Sequence, residues 1–353
     1  MKILICFTIN KSFLSDFFFE MCKMLKQEGN EVIIFSIKKH ASTGTRQGIP
    51  YIISKQKSYA HNYTNLFKVI KSQKPDIVIS NFNYVYPALI IGWLLGVKKN
   101  IAWFHTESAH TQPGFFNFII KKYIVKLADR LIVNSYLLKD DFVQTFKVSD
   151  SKIFTVPFYT TIEKFESENK LVIAKKELFK IGCPGRLVKG KNQELLIDAL
   201  FELKNKYSAS FMLYLAGTGE REEILKEYLK DKKMEAEVVF LGNLQVNELP
   251  GFYKSMDLIV LPSLNEAFGF VFIEAISLGA PVLVSKKFGA LQFLDIEEDD
   301  LFFAFDPTDK SNLIFLLEEY LKGKKAPSDY FINLYNSNFS KEKTFHSFKQ
   351  VLQ

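Results

Sequence analysis

Short apolar runs alternate with segments of helical spacing along nearly the whole chain, and the alternation runs twice. In the first half, Lys2–Phe7, Glu31–Ser36, Asp76–Ser80, Ile101–Phe104 and Arg130–Val133 read as strands, with helices over Ser15–Glu28 and 64–72. Strands that are apolar throughout, with helices between them, predict a parallel sheet covered on both faces. The pattern lapses at 160–178 into a charged stretch containing Glu163, Lys164, Glu166, Glu168 and Lys170. It then restarts, with strands at 179–184, 211–216, 237–241, 257–261 and 281–284 and helices at 192–206, 220–231, 247–254 and 269–279. The expected architecture is therefore α/β, with two Rossmann-like doubly wound parallel-sheet domains facing across a cleft. The first spans 1–165 and the second 166–325, and 326–353 is a helical segment positioned to cross back to the first. Ligands of such sheets bind beyond the carboxyl ends of the strands.

The bulk numbers fit two packed cores. The chain has 353 residues, 48% apolar and 24% charged, within the ordinary range for folded domains. Cys6, Cys22 and Cys183 are an odd set in apolar runs, which predicts reduced, buried thiols and a cytoplasmic protein. The N-terminal run lacks a long apolar region and a small-residue cleavage site, so it reads as a first strand. Ala88–Val97 is the most membrane-like stretch and is too short to span a bilayer. Charge is uneven: residues 1–165 carry 22 Lys+Arg against 11 Asp+Glu, and the remainder 24 against 28. A basic first half suits an acidic surface, nucleic acid or anionic lipid. No nucleic-acid-binding motif appears, which favours lipid. Phe115–Lys126 fits either an interfacial amphipathic face on the inner side of the cell membrane or a core helix with a solvated lysine edge.

Three motifs follow strands of the second domain. Gly185-Arg186-Leu187-Val188-Lys189-Gly190-Lys191 comes first. Its glycines permit close backbone approach, while Arg186 and Lys191 suit a diphosphate. Gly217-Thr218-Gly219 then opens a helix, a place where backbone N–H groups commonly meet an anion. Finally, the strand ending at Pro262-Ser263 leads into a loop carrying Glu266. A helix beginning near Gly269 follows and carries Glu274 among apolar neighbours. An unpaired carboxylate there is costly without a ligand to meet it. Carboxylates are good acceptors for the vicinal hydroxyls of a ribose or a hexose. No Asp-x-Asp and no zinc-type Cys/His spacing occurs.

Taken together, Gly185-Arg186-Leu187 with Lys191, Gly217-x-Gly219, Phe240-Leu241-Gly242, Pro262-Ser263, Glu266 with Glu274 eight positions on, and Gly279-x-Pro281-Val282 resemble the retaining glycosyltransferases of family four, whose fold is GT-B. Gly29-x-Glu31-Val32, Lys74–Val78 and Ala128–Ser135 resemble the family's first domain more loosely. The chain departs from the pattern at Thr8–Ser12, Pro157-Phe158-Tyr159 and Phe288-Gly289-Ala290.

The resemblance implies a metal-independent hexosyl-type transferase acting with retention, without a cofactor. Its donor would be a nucleotide sugar, UDP- or GDP-linked before ADP-linked. Its acceptor would be a glycan or lipid-linked glycan of bacterial cell-surface polysaccharide synthesis. His105, Arg186, Lys191 and Glu266 would be catalytic. Gly185, Arg186, Lys191, Gly217, Gly219, Glu266, Phe268, Gly269, Phe270, Val271 and Glu274 would form the donor site. A nucleotide-sugar epimerase of the same fold and a non-catalytic sugar-nucleotide-binding subunit are the alternatives.

Overall fold

The computed structural model describes all residues except 11, 106–114, 163–164, 166–177, 208, 298–300, 325 and 328; of residues 59 and 115–117 it describes the backbone alone. The chain divides into two units, Met1–Pro157 with Glu342–Gln353, and Phe158–Lys341. The boundary thus precedes the expected 165/166. The charged stretch that suggested that position lies mostly outside the described residues.

The first unit is built on an eight-stranded sheet, ordered β3-β4-β2-β1-β5-β6-β7-β8. Its parallel strands are β1 (Lys2–Cys6), β2 (Glu31–Lys38), β4 (Ile49–Lys55), β5 (Ile77–Asn81), β6 (Lys99–Phe104), β7 (Arg130–Val133) and β8 (Ile153–Thr155). Helix α1 (Phe13–Gln27) starts where the Ser12 hydroxyl accepts the Ser15 amide, an N-cap that satisfies an orphan donor. It buries Phe17, Phe18 and Phe19 to 1% exposure or less. Phe18 meets Phe7 at 5.1 Å and Trp103 at 5.3 Å, centroid to centroid. Each fully buried ring is worth roughly 2–3 kcal/mol of transfer free energy, so α1 is fixed by its own aromatic run.

The edge departs from the parallel expectation. β3 (Ser42–Arg46) pairs antiparallel with β4. Gln47 and Gly48 join them at φ +52° and +80°, the two-residue hairpin geometry that matches strand twist. β3 is polar and mostly exposed, so it carries no apolar period by which to be recognised. The last helix, α12 (Lys341–Leu352), belongs to the first unit, and α11 (Tyr330–Phe339) to the second. Lys99 Nζ and Arg130 Nη1 donate to the terminal carbonyls of α12 at Leu352 and Gln350, each at 2.8 Å, supplying positive charge where a helix end needs it.

The second unit has a six-stranded parallel sheet, ordered β11-β10-β9-β12-β13-β14. These strands are β9 (Phe179–Pro184), β10 (Phe211–Ala216), β11 (Val238–Gly242), β12 (Leu258–Leu261), β13 (Val282–Ser285) and β14 (Ala304–Phe305). Between them run α6 (Gln193–Tyr207), α7 (Glu222–Asp231), α8 (Leu249–Ser255) and α9 (Phe270–Ser277), with α10 (Lys310–Leu321) after β14. Strand order reverses beside β9, so the loops after β9 and β12 emerge at the switch point where such sheets bind ligands.

Candidate functional site

The loop after β9 opens on Gly185, at φ +141°, a conformation that side chains rarely adopt. The loop then runs against the one after β10. Gly185 N donates to Ala216 O at 2.9 Å, Leu187 N to Thr218 O at 3.0 Å and Arg221 N to Leu187 O at 3.0 Å. A Cβ on Gly217 would stand 2.0 Å from Gly185 O, and one on Gly219 would stand 2.2 Å from Leu187 O. The Gly-x-Gly element is therefore required first by the packing of one loop on another. That accounts for both glycines before any anion is invoked.

After Arg186 the chain makes a short turn, Lys189–Lys191, and leaves it through Asn192 at φ +56°. Asparagine is among the residues that tolerate that region, and Asn192 Nδ2 fixes the turn by donating to Pro307 O at 3.1 Å. Gln193, 1% exposed, donates to Arg186 O at 3.0 Å. The backbone of Arg186 is thus held while its guanidinium is exposed and, among the described residues, forms no ion pair.

Lys191 and Glu266 meet as an ion pair, both side chains less than a quarter exposed. Leu264 N donates to Gly190 O at 2.9 Å, tying the two parent loops together. Glu266 is held further by its backbone: its amide donates to Lys287 O at 3.0 Å and its carbonyl accepts from Gly289 N at 2.9 Å. Gly269, at φ +101°, caps α9, and a Cβ there would strike Phe288 at 2.2 Å. The amino end of α9, a site of positive partial charge, therefore lies beside the Lys191–Glu266 pair. Lys191 also lies near Cys183, whose thiol burial pushes up to about 12; it is an inert core group.

Glu274 sits in the second turn of α9. Burial pushes its carboxyl pKa up, and a hydrogen bond from Tyr253 Oη at 2.8 Å pulls it partly back. Tyr253 is wholly buried, and its own pKa is raised by that burial and by the adjacent carboxylate. Among the described residues Glu274 makes no ion pair. It is a charge kept out of water with one neutral donor, an arrangement typical of functional sites. Tyr253 was not singled out in the sequence, where it reads as one more aromatic on the apolar face of α8.

Three further residues of the expected donor site lie around the start of α9. Phe268 is 4% exposed and packs against Phe158 at 5.2 Å and Phe339 at 6.1 Å, so its side chain serves the core and only its backbone is available to a ligand. Phe270 likewise faces Phe158, at 4.5 Å, and Val271 is half-buried beside it.

His105 follows β6 in the first unit. Its Nδ1 lies 2.7 Å from Asn134 Oδ1 and its Nε2 3.1 Å from Asn81 Oδ1. Asn134 Oδ1 also accepts from Trp103 Nε1 at 3.2 Å, while its Nδ2 donates to Val156 O at 2.8 Å, which fixes that amide's orientation. Burial lowers the imidazole pKa to about 4. The ring stacks on Phe82 at 4.5 Å and on Trp103 at 5.9 Å.

Comparison with known proteins gives the chain's family and fold. The family model described as glycosyl transferases group 1 matches residues 163–348, and the one described as glycosyltransferase family 4 matches 15–158. A curated relative, the D-inositol 3-phosphate glycosyltransferase of Corynebacterium jeikeium, is 28% identical over 67% of this chain and 64% of its own length. The O-antigen chain mannosyltransferase RfbU of Salmonella typhimurium is 27% identical over 52% of this chain and 49% of its own. The chain thus spans less than two thirds of the length of these relatives. Anabaena HepE, solved with UDP, superposes with a TM-score of 0.79 at 16% identity, covering 100% of this chain and 99% of that one. At that identity the likeness is one of fold.

Proposed function

Because the chain belongs to the glycosyl transferases group 1, we propose that it moves a sugar from a nucleotide-sugar donor to a glycan or lipid-linked acceptor, with retention of configuration and without a metal. The observation that carries this reading is the Lys191–Glu266 pair at the amino end of α9, with an uncompensated Arg186 on the same loop and a buried Glu274 on the helix.

Each group has a task in such a transfer. Arg186 forks onto the diphosphate, and Lys191, already half-neutralised by Glu266, adds a point charge. Together with the α9 amino end they stabilise the negative charge that grows on the leaving phosphate. Glu266 accepts hydrogen bonds from the transferred sugar, and Glu274 from the ribose diol, which would satisfy its buried charge. His105, neutral, is the candidate catalytic group of the first unit. The bond between the anomeric carbon and phosphate oxygen breaks ahead of attack. The acceptor hydroxyl adds to the same face, and its proton passes to the departing phosphate.

The Anabaena structure's UDP supports a UDP-linked donor, with GDP the alternative. The names of the O-antigen and lipopolysaccharide-core mannosyltransferase relatives support a cell-surface polysaccharide role. No helix among the described residues is long and apolar enough to cross a membrane. A cytoplasmic protein resting on the inner face of the membrane is supported by the basic first half. It is also supported by Ile120 and Tyr123 on α4 (Phe115–Val125), which are 56% and 66% exposed. The test is NMR of the linkage formed by purified enzyme in EDTA: the donor's anomeric configuration is expected in the product, and an inverted linkage or dependence on added Mg²⁺ would overturn the proposal.

A further inference from the structure

Behind Glu274 stands a side chain closed off from solvent. Tyr253 on α8 is 0% exposed, and its surroundings fix its position. Helix α8 opens with Pro250 in its first turn, where a missing N–H costs nothing. Phe252, also 0% exposed, meets the Tyr253 ring edge-on at 5.6 Å between centroids. Phe252 also seats α8 on β9. A Cβ on Gly182 would stand 2.9 Å from the Phe252 ring and 2.7 Å from Met256, an approach that only glycine allows. Ser255 Oγ closes the last turn by donating to Phe252 O at 2.8 Å. The Tyr253 hydroxyl is therefore held where the helix and the core put it.

That hydroxyl donates to Glu274 Oε2 at 2.8 Å. The terminal torsion of a glutamate is broad, so a fixed donor on one oxygen sets the plane in which the remaining lone pairs lie. A hydrogen bond to the charged form also favours the carboxylate over the acid. Tyr253 pulls in that direction against the larger push of burial, and among the described residues no other ionisable group acts on Glu274. The difference matters to a diol. An ionised carboxylate can accept from both hydroxyls, whereas the acid has given an acceptor position to its own proton.

We propose that Tyr253 is a positioning residue for nucleotide selection: by orienting Glu274 it sets the preference for an intact ribose diol over a deoxyribose. This role rests on the transferase reading, in which Glu274 takes the two ribose hydroxyls. Without the phenol the carboxylate is free to rotate, and its acceptors no longer stand ready for a vicinal diol. The buried charge also loses its protein donor, which favours the acid. The penalty falls on the diol contact alone. Arg186 and Lys191, assigned to the diphosphate, stand on the loop after β9 and do not depend on the phenol.

The test is calorimetric titration of the full chain with UDP and GDP, then with the 2′-deoxy and 3′-deoxy forms of whichever binds. The wild type is expected to prefer the ribonucleotide by about tenfold or more, the scale of one hydrogen bond to a charged group. Tyr253→Phe keeps the ring and its packing on Phe252. It should weaken the ribonucleotide by about tenfold and the deoxynucleotides by no more than about twofold, so that the preference largely disappears. The donor KM should rise by a similar factor and kcat fall by less, as for an interaction made equally before and during the reaction. In a Glu274→Gln background the same substitution should add nothing. The proposal is overturned by any of four results: a wild type without ribose preference, a Tyr253→Phe variant that keeps it, equal losses for ribo- and deoxynucleotides, or an undiminished effect in the Glu274→Gln background. Each of these leaves the transferase reading standing. Failure of the wild type to bind either UDP or GDP would instead overturn the transferase reading, and the role of Tyr253 with it.

Discussion

Glu274 accepts a hydrogen bond from Tyr253 Oη at 2.8 Å, and among the described residues that phenol is its only side-chain partner. A carboxylate in this position is a liability to the unliganded protein and an asset to a ligand with hydroxyls to offer. The folded-state pKa is raised above the ordinary 4.5. The unfolded state therefore gives up its proton first as pH rises. Burial of Glu274 costs nothing well below 4.5, the cost grows between 4.5 and the raised value, and it is fully present above that.

It follows that Glu274→Gln raises the melting temperature of the free protein at pH 7 and not at pH 3.5. The same substitution cuts transfer by about 100-fold or more, the scale of losing one electrostatic stabiliser. Thermal unfolding at the two pH values, with initial rates at pH 7, checks both halves. A variant that is no more stable at pH 7, or as active as the wild type, contradicts the assignment.

Lys191 and Glu266 act as one unit. Lys191→Ala and Glu266→Ala should each lower kcat/KM by about 100-fold, and the double variant by much less than the product of the two. Lys191→Ala should be the worse for donor binding, since it leaves Glu266 facing the diphosphate without its cation. A double-mutant cycle on kcat/KM reads the coupling, and strict additivity would mean the pair is not shared in the transition state.

The loop glycines separate packing from ligand contact. Gly219→Ala places a methyl 2.2 Å from Leu187 O, so it should destabilise the fold by about 1–3 kcal/mol, the usual cost of overpacking, and weaken nucleotide binding with it. Gly190→Ala meets nothing within 4 Å and should be neutral or stabilising by up to about 1 kcal/mol. Chemical denaturation of the two variants reads the difference.

His105 is held neutral at physiological pH, its pKa lowered to about 4 by burial. The rate profile should show no inflection near 6.5 from this ring. Asn81→Asp puts a carboxylate where Asn81 Oδ1 now lies, 3.1 Å from Nε2. That charge favours the imidazolium and so raises the pKa. NMR titration of the ring should find it moved upward, with a new inflection in the rate profile; a ring that titrates near 6.5 in the wild type would contradict the account.

The parallel core was legible because buried strands such as Ile77–Asn81 and Leu258–Leu261 are apolar without interruption. The hairpin β3–β4 was not, because β3 is polar on both faces and announces itself only through Gln47-Gly48. At the site, the spacing of Glu266 and Glu274 and the basic glycine loop were visible as residue types in order. The partners that tune them were not. Tyr253 lies 21 positions from Glu274 and looks like core, and the contact of Gly217 and Gly219 with the Gly185–Leu187 backbone exists only once the sheet has folded. The burial of the Phe268 ring was equally invisible, because its partners Phe158 and Phe339 are distant in sequence.

The central claim, a guanidinium, an ammonium and two carboxylates arranged for a nucleotide sugar, is tested most directly by melting the wild type and Lys191→Ala with UDP-, GDP- and ADP-sugars. Binding to the folded state alone raises stability by mass action, about 2.7 kcal/mol at a hundredfold excess over Kd. The account predicts that one UDP- or GDP-sugar raises the wild-type melting temperature and leaves that of Lys191→Ala nearly unmoved. No shift with any nucleotide sugar, or an equal shift in the variant, would contradict it.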